Sequence, residues 1–229
     1  MQFFIWLLKK TTNYVTIKKK GVFMKKFVIT IGREFGSGGR AVAKLLAEKL
    51  GVKCYDEELV EMASSSSGIH PEMVASLDEK ALSPFSFAGG GQFYLSSHGA
   101  HNVQIQAAFS QFNAIKELAK NENCVIVGRV VDYVLKDNPN TISIFISADL
   151  DYRIQRIMEY DGVSEKKAEK IIIKNDRNRA KYYNFFSNKK WGEAKTYDLC
   201  VKTSVLGIEK SVDFILDFIK LSLDNKQDE

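Results

Sequence analysis

Residues 27–40, FVITIGREFGSGGR, constrain the fold more than any other stretch. An apolar run with β-branched residues leads into four glycines, Gly32, Gly36, Gly38 and Gly39. A helical pattern, AVAKLLAEKL, follows at once. Strand, glycine-rich turn and helix start together build a phosphate cradle. Glycines allow a backbone with φ > 0 and a close approach of amide N–H groups to an anion. The helix N-terminus adds unpaired donors and a partial positive charge. The alternative is a glycine-rich turn that binds nothing, although four glycines exceed what a tight turn needs.

The rest of the chain reads as short apolar strands alternating with helices. Strands are expected at 27–32, 52–55, 124–127, 143–147 and 199–203. Helices are expected at 39–50, 57–67, 71–80, 103–120, 130–135, 150–160, 165 to about 186, and 208–223. Such alternation predicts an α/β fold of the P-loop NTPase type, three layers about a parallel sheet of about five strands. Helix 39–50 carries an apolar stripe at Ala41, Leu45, Leu46 and Leu50. Asp56, Asp149 and Ser164 stand where N-caps belong. Residues 81–102, with three consecutive glycines, serines and aromatics, have no period and read as a loop, either a lid or binding loop or plain disorder. The expected organisation is an extension over 1–23, one domain over 24–224, an acceptor insertion at about 57–122, a lid at about 161–190, and a frayed tail at 225–229.

The chain has 229 residues, 45% hydrophobic, and a net charge of +5. That suits a real core and an anionic small-molecule partner, and does not call for nucleic acid. Cys54, Cys124 and Cys200 each sit in a short apolar run and read as buried free thiols of a cytoplasmic protein. His98 and His101 have no cysteine or carboxylate nearby, so no metal site is expected from protein side chains there. The apolar run at 3–8 is too short to span a bilayer. A weak surface anchor is the competing reading; no stable membrane association is expected.

Phosphoryl transfer needs positive groups around the moving phosphoryl and an oriented acceptor. Ligands of parallel sheets bind at the strands' carboxyl ends. The loop with Arg33 and Arg40, Asp56 after the second strand, and Arg129 after the third are placed there. Another basic cluster is KNDRNRAKYY, residues 174–183. On that helix Asp176 and Arg179 are three apart, share a face at the edge of the apolar stripe and read as an ion pair. Arg177 points nearly the opposite way with Lys174 and Lys181, a solvated basic face unless a lid closes over the nucleotide.

Four stretches together resemble the cytidylate kinase-like family of P-loop kinases: ITIGREFGSGGR, YDEELVEMA, CVIVGRVVDYVL, and KNDRNRAKYY followed by YDLCVKTSVLGIEKSV. The resemblance implies ATP with Mg²⁺ as donor and a nucleoside monophosphate, CMP or dCMP, as acceptor. It implies that Gly32, Arg33, Gly36, Ser37, Gly38, Gly39, Arg40 and Ala41 hold the donor. Asp56 and Arg129 then meet the acceptor, and Asp176, Arg177 and Arg179 belong to the lid that reaches the phosphates. The pattern G-x-x-x-x-G-K-[ST] is not met in full. Anchored on Gly38, the lysine position is Gly39 and the hydroxyl position Arg40; anchored on Gly39, these become Arg40 and Ala41. Arg40, or in its place Arg33, is thus the expected cation of the loop. The aspartate of the family's G-R-D motif is replaced by Val130, with Asp132 two residues on. A degenerate nucleotide- or polyphosphate-binding protein without catalysis is the alternative.

Overall fold

The computed structural model describes residues 26–68, 70, 72 and 96–225. The expected extension over 1–23, most of the expected helix 71–80 and the stretch 81–95 lie outside the described residues. A five-stranded, all-parallel sheet runs in the order β2-β3-β1-β4-β5. Its strands are β1 (Val28–Arg33), β2 (Lys53–Tyr55), β3 (Cys124–Val127), β4 (Thr141–Ser147) and β5 (Leu199–Lys202). The helices are α1 (Gly39–Leu50), α2 (Glu58–Ser67), α3 (Ser96–Asn121), α4 (Val131–Val134), α5 (Leu150–Asp161), α6 (Glu165–Ser187) and α7 (Thr203–Asn225). None of the described helices is long and apolar enough to cross a membrane.

Period-2 alternation divides the sheet into two faces. Ile29, Ile31, Val125, Val127, Ile142, Ile144 and Ile146 point to one side. There they meet Val42 and Leu46 of α1 and Val212, Ile215 and Ile219 of α7. Val28, Cys124 and Ile126 point to the other, against Leu59, Phe112, Ile115, Val131, Tyr182 and Tyr183. β1 lies between β3 and β4, with Ile31 beside Val127 and Gly32 beside Phe145. The central strand therefore delivers the glycine loop to the middle of the sheet's carboxyl edge.

Several local expectations need correction. The buried stripe of α1 is Val42, Ala43, Leu46 and Ala47, while Ala41 is exposed. The sheet lies one residue further round the helix than the leucine spacing suggests. α3 begins at Ser96 rather than 103. Once a helix is nucleated each added residue needs only propagation, so Gly99 is tolerated within it. Asp149 and Ser164 sit at N-cap positions without side-chain caps. The Asp149 carboxylate instead takes Lys202 at 2.5 Å and the Ser204 hydroxyl at 2.9 Å. Cys124 is buried, Cys54 half-buried and Cys200 exposed on the edge strand β5; all three are free thiols. α7 is broken at Gly207 (φ 73°, ψ 174°), so its long regular part starts at Ile208, the expected position.

Candidate functional site

The loop after β1 has the backbone of an anion cradle. Gly36 and Gly38 adopt φ 79° and 81°. Gly38 is the N-cap of α1. A side chain is excluded at Gly39, where a Cβ would come 2.5 Å from Cβ of Arg33. Ser37 is fully buried and its hydroxyl donates to the Glu34 carbonyl (2.9 Å). Its own carbonyl accepts from Thr203 Oγ1 at 2.6 Å, tying the loop to the start of α7.

The loop is also clamped from outside. Asp176 of α6 accepts the Phe35 amide at 2.7 Å and the Arg153 guanidinium at 2.6 Å. Arg153, buried on α5, also faces Glu34 at 3.5 Å, and Glu34 Oε2 accepts the Ala148 amide. The aspartate expected to pair with Arg179 along its own helix thus bridges to α5 and the loop. Helical spacing cannot show this, because Phe35 and Asp176 are 141 residues apart. The Phe35 ring packs beside Ile154, Ile157 and Ile172, and Arg179 stacks over it at 5.4 Å.

Asp56 is the hub of the arginines. It is buried, and its Oδ1 accepts Arg129 Nη1 at 2.9 Å. Arg40 Nε lies 2.5 Å from its Oδ2, and Arg33 Nη2 is 4.0 Å from Oδ1. The Arg40 contact is an ion pair without the alignment of a hydrogen bond, so Oδ2 lacks an aligned donor. Arg40 also reaches Glu57 at 2.9 Å. Asp56 does not cap α2, whose N-cap residue is Glu57; its amide donates to Glu58 Oε2. Arg129 is aimed by three successive left-handed residues, Gly128 (φ 73°), Arg129 (55°) and Val130 (58°). The Gly128 amide donates to Ile31 O, and Arg129 Nη1 also donates to Val127 O.

Beside the loop, on the α6 side of the sheet, lies a cavity of about 20 Å³, room for about one water. Arg33, Arg129, Arg179, Asp132, Tyr183 and Trp191 are among its walls. Tyr183 donates to Asp132 Oδ2 at 2.5 Å. Burial raises the Asp132 carboxyl above its ordinary value, and the Tyr183 hydrogen bond opposes this in part. Burial followed by the Asp132 charge drives the Tyr183 phenol far up, so it stays a donor. Tyr197 stacks on Phe145 at 4.8 Å, and Phe145 meets Trp191 edge-on at 5.3 Å.

The structure brings Gly32, Arg33, Arg129 and Arg179 to one cavity wall. It sets Asp56 and Arg40 next to them. Arg177 is exposed on the far side of α6, and Ala41 is exposed at the head of α1. The buried Arg153 and the Tyr183–Asp132 pair were not legible as site features. Only the pairing of an acidic residue near Arg129 with a tyrosine on the inward stripe hints at the latter. A nucleotide's phosphates suit the loop in chemistry, since Gly36 and Gly38 turn with positive φ at the head of α1, whose first amides are anion donors. Mg²⁺ fits less well: Ser37 is fully buried with its hydroxyl turned to the Glu34 carbonyl, and Ala41 has no hydroxyl. Among the described residues no three His, Cys, Asp or Glu side chains cluster as metal ligands.

The model of the cytidylate kinase-like family matches residues 28–205. Cytidylate kinase from Methanobrevibacter smithii is 28% identical over 195 residues, 85% of this chain and 99% of that protein. The enzyme of the same name from Methanocaldococcus jannaschii is 25% identical over 202 residues, 86% and 98% of the two chains. A crystal structure of an uncharacterized protein from Eubacterium ventriosum superposes with a TM-score of 0.64 at 34% identity, covering 85% of this chain and 99% of that one. Shikimate kinase from Bacteroides thetaiotaomicron shares the fold, with a TM-score of 0.51 at 17% identity over 85% and 98% of the two chains.

Proposed function

The chain belongs to the cytidylate kinase-like family, a family of nucleotide kinases, and on that premise we propose that it transfers the γ-phosphoryl of ATP to a nucleoside monophosphate, CMP or dCMP first. The observation that carries the reading is the convergence of Arg33, Arg40 and Arg129 on Asp56 at the mouth of the glycine loop. In this reading the loop amides bind the donor phosphates, and Arg33 and Arg179 neutralise the transferring group. Arg129, fixed by Asp56, orients the acceptor. Electrostatic stabilisation of this kind is what phosphoryl transfer asks of a protein. Mg²⁺ bound with the nucleotide would supply further charge neutralisation, held by phosphate oxygens and water because the loop has no free hydroxyl. Residues 24–224 act as one catalytic domain in the cytoplasm, with α6 as the core of the lid and Arg177 reaching phosphate only when the lid closes. The purified protein with ATP, Mg²⁺ and a panel of nucleoside monophosphates tests this. Transfer to a pyrimidine monophosphate is expected; ATP binding with no transfer to any acceptor would overturn it.

The second reading is a nucleotide-binding protein without catalysis. It is favoured by one observation: Arg40, the cation in the loop's lysine register, is engaged by both Asp56 and Glu57. It expects ATP affinity nearly independent of Mg²⁺. Arg40→Ala separates the two readings further: weaker phosphate binding identifies Arg40 as the loop's cation, and unchanged binding assigns that role elsewhere.

A further inference from the structure

The charges of α6 are segregated. At about 100° per residue, Lys166, Lys167, Lys170, Lys174, Arg177 and Lys181 fall within an arc of about 100°. The carboxylates of the helix, Glu165, Glu169 and Asp176, fall on another face. All six cations are exposed, and none pairs with a carboxylate among the described residues. The row repels itself. Lys166 and Lys170, Lys170 and Lys174, and Arg177 and Lys181 are four apart, while Lys167 and Lys170, and Lys174 and Arg177, are three apart. At those spacings like charges destabilise a helix. Lys166 and Lys167 also stand in the first turn, against the positive end of the helix dipole. A solvated face normally mixes signs, as that of α7 does: Asp217 takes Lys220 at 3.1 Å and Asp213 takes Lys49 at 2.6 Å. The net charge of +5 conceals the row, because carboxylates elsewhere offset it.

We propose that the outer face of α6 binds the phosphodiester backbone of a single nucleic-acid strand, without sequence preference. Complementarity of charge and of length carries the proposal. From Lys166 to Lys181 the row spans about 22 Å at about 1.5 Å per residue. A strand with a phosphate about every 3.4 Å presents about six anions over that length. One turn beyond Lys181, in line with the row, Phe185 is 53% exposed. A cationic row ending in an open aromatic ring offers a strand both of its needs, charge for the backbone and a surface on which a base stacks. A bilayer would require an apolar face to insert, and that of α6, with Ala168, Ile172, Tyr182 and Tyr183, is buried in the protein. The strand relieves the repulsion among the cations, and its own counterions are released. The proposal stands apart from the kinase reading; Arg177 alone is common to both.

The test is fluorescence anisotropy of two labelled single-stranded RNAs longer than the row, one of uridine only and one of mixed sequence, titrated with the full chain at a series of salt concentrations. The same titrations are made with Lys166→Gln/Lys170→Gln and with Phe185→Ala. Each variant is first checked for unchanged ATP binding and for a Tm no lower than that of the wild type. Both RNAs should bind alike, with a Kd of about 10⁻⁶ to 10⁻⁴ M near physiological salt. The logarithm of the binding constant should fall against that of salt with a slope of about −0.7 per cation engaged, about −4 for six. The double variant should weaken both RNAs and flatten the slope to about −3, while Phe185→Ala should weaken both at an unchanged slope. Absence of binding at low salt overturns the proposal. Equal binding by the wild type and the double variant does so as well, since the strand then lies on other cations. A strong preference for one of the two sequences also overturns it. Retention on phosphatidylserine vesicles without RNA binding, lost in the double variant, makes the face a membrane surface and overturns the nucleic-acid assignment.

Discussion

The two faces of the sheet carry the same strands and are built on opposite terms. On the α1–α7 face, Ile29, Ile31, Val125, Val127, Ile142, Ile144 and Ile146 are 0–2% exposed and meet a cluster that is aliphatic apart from Phe27, Cys54 and Phe218. On the α3–α6 face, the alternate residues of those strands meet tyrosines, a buried aspartate and buried arginines. Parity along β1 sends Thr30 and Gly32 to the second face, under Arg33 and Arg129. The first face stabilises by area removed from water. On the second, each buried charge needs a partner, and losing one partner strands the other. Both sides of the sheet bury an apolar core, but the candidate chemistry sits on the second alone.

The contrast can be broken first at Arg129. Arg129→Met should lower stability by about 3–5 kcal/mol, because Asp56 is then buried beside fewer cations, and should abolish acceptor binding. A denaturant titration with an acceptor-binding assay reads both. If instead stability is unchanged, the polar face does not depend on its pairs. Ile144→Ala on the aliphatic face should cost about 2–5 kcal/mol in the same titration, with ligand affinity kept in the folded fraction. Lost affinity at full folding would show that the faces are not separable. Tyr183→Phe should cost about 1 kcal/mol by taking the side-chain donor from the Asp132 carboxylate, which keeps its backbone donors, and Asp132→Asn in the same background should recover part of it.

The pH dependence sharpens the same point with a smaller effect. The folded carboxyl of Asp132 is raised above its ordinary 3.8, chiefly by burial. The native state therefore holds this proton to higher pH than the unfolded chain does. Stability from this group falls as pH rises from 3.8 through the raised value, and the penalty stays above it. Relative to wild type, Asp132→Asn should gain stability across that window. Urea midpoints at a series of pH values measure it, and a flat difference would mean that Asp132 does not titrate differently on folding.

The sequence carries the layered fold openly, because strand and helix periods are local. Bounds at Cys124–Val127 and Gly39–Leu50 follow from the residues themselves. The loop's position at the sheet's carboxyl edge follows from strand alternation. What remained hidden are contacts set by distance along the chain. Asp176 to Phe35, Arg129 to Asp56 and Tyr183 to Asp132 join residues 141, 73 and 51 apart. Nor could composition show that Cys200 is exposed, since that depends on β5 being an edge. The half-buried Cys54 thiol is pushed up to about 11, first by burial and then by the Asp56 and Glu58 charges. Slow alkylation of Cys54 by a thiol reagent at neutral pH is the expected result.

Position 130 has one more consequence. Val130 sits at φ 58°, a region that a β-branched residue enters at a cost and that aspartate and asparagine enter more readily. Its side chain is buried among apolar neighbours, which offsets that cost. The family's motif places aspartate at this seat. The backbone here already has the curvature an aspartate prefers, although the residue is valine. Val130→Asp is therefore a substitution for which the main chain needs no remodelling, and it sets a carboxylate beside Arg129. A one-residue step to the family's motif is available there, opposed by side-chain desolvation and not by geometry.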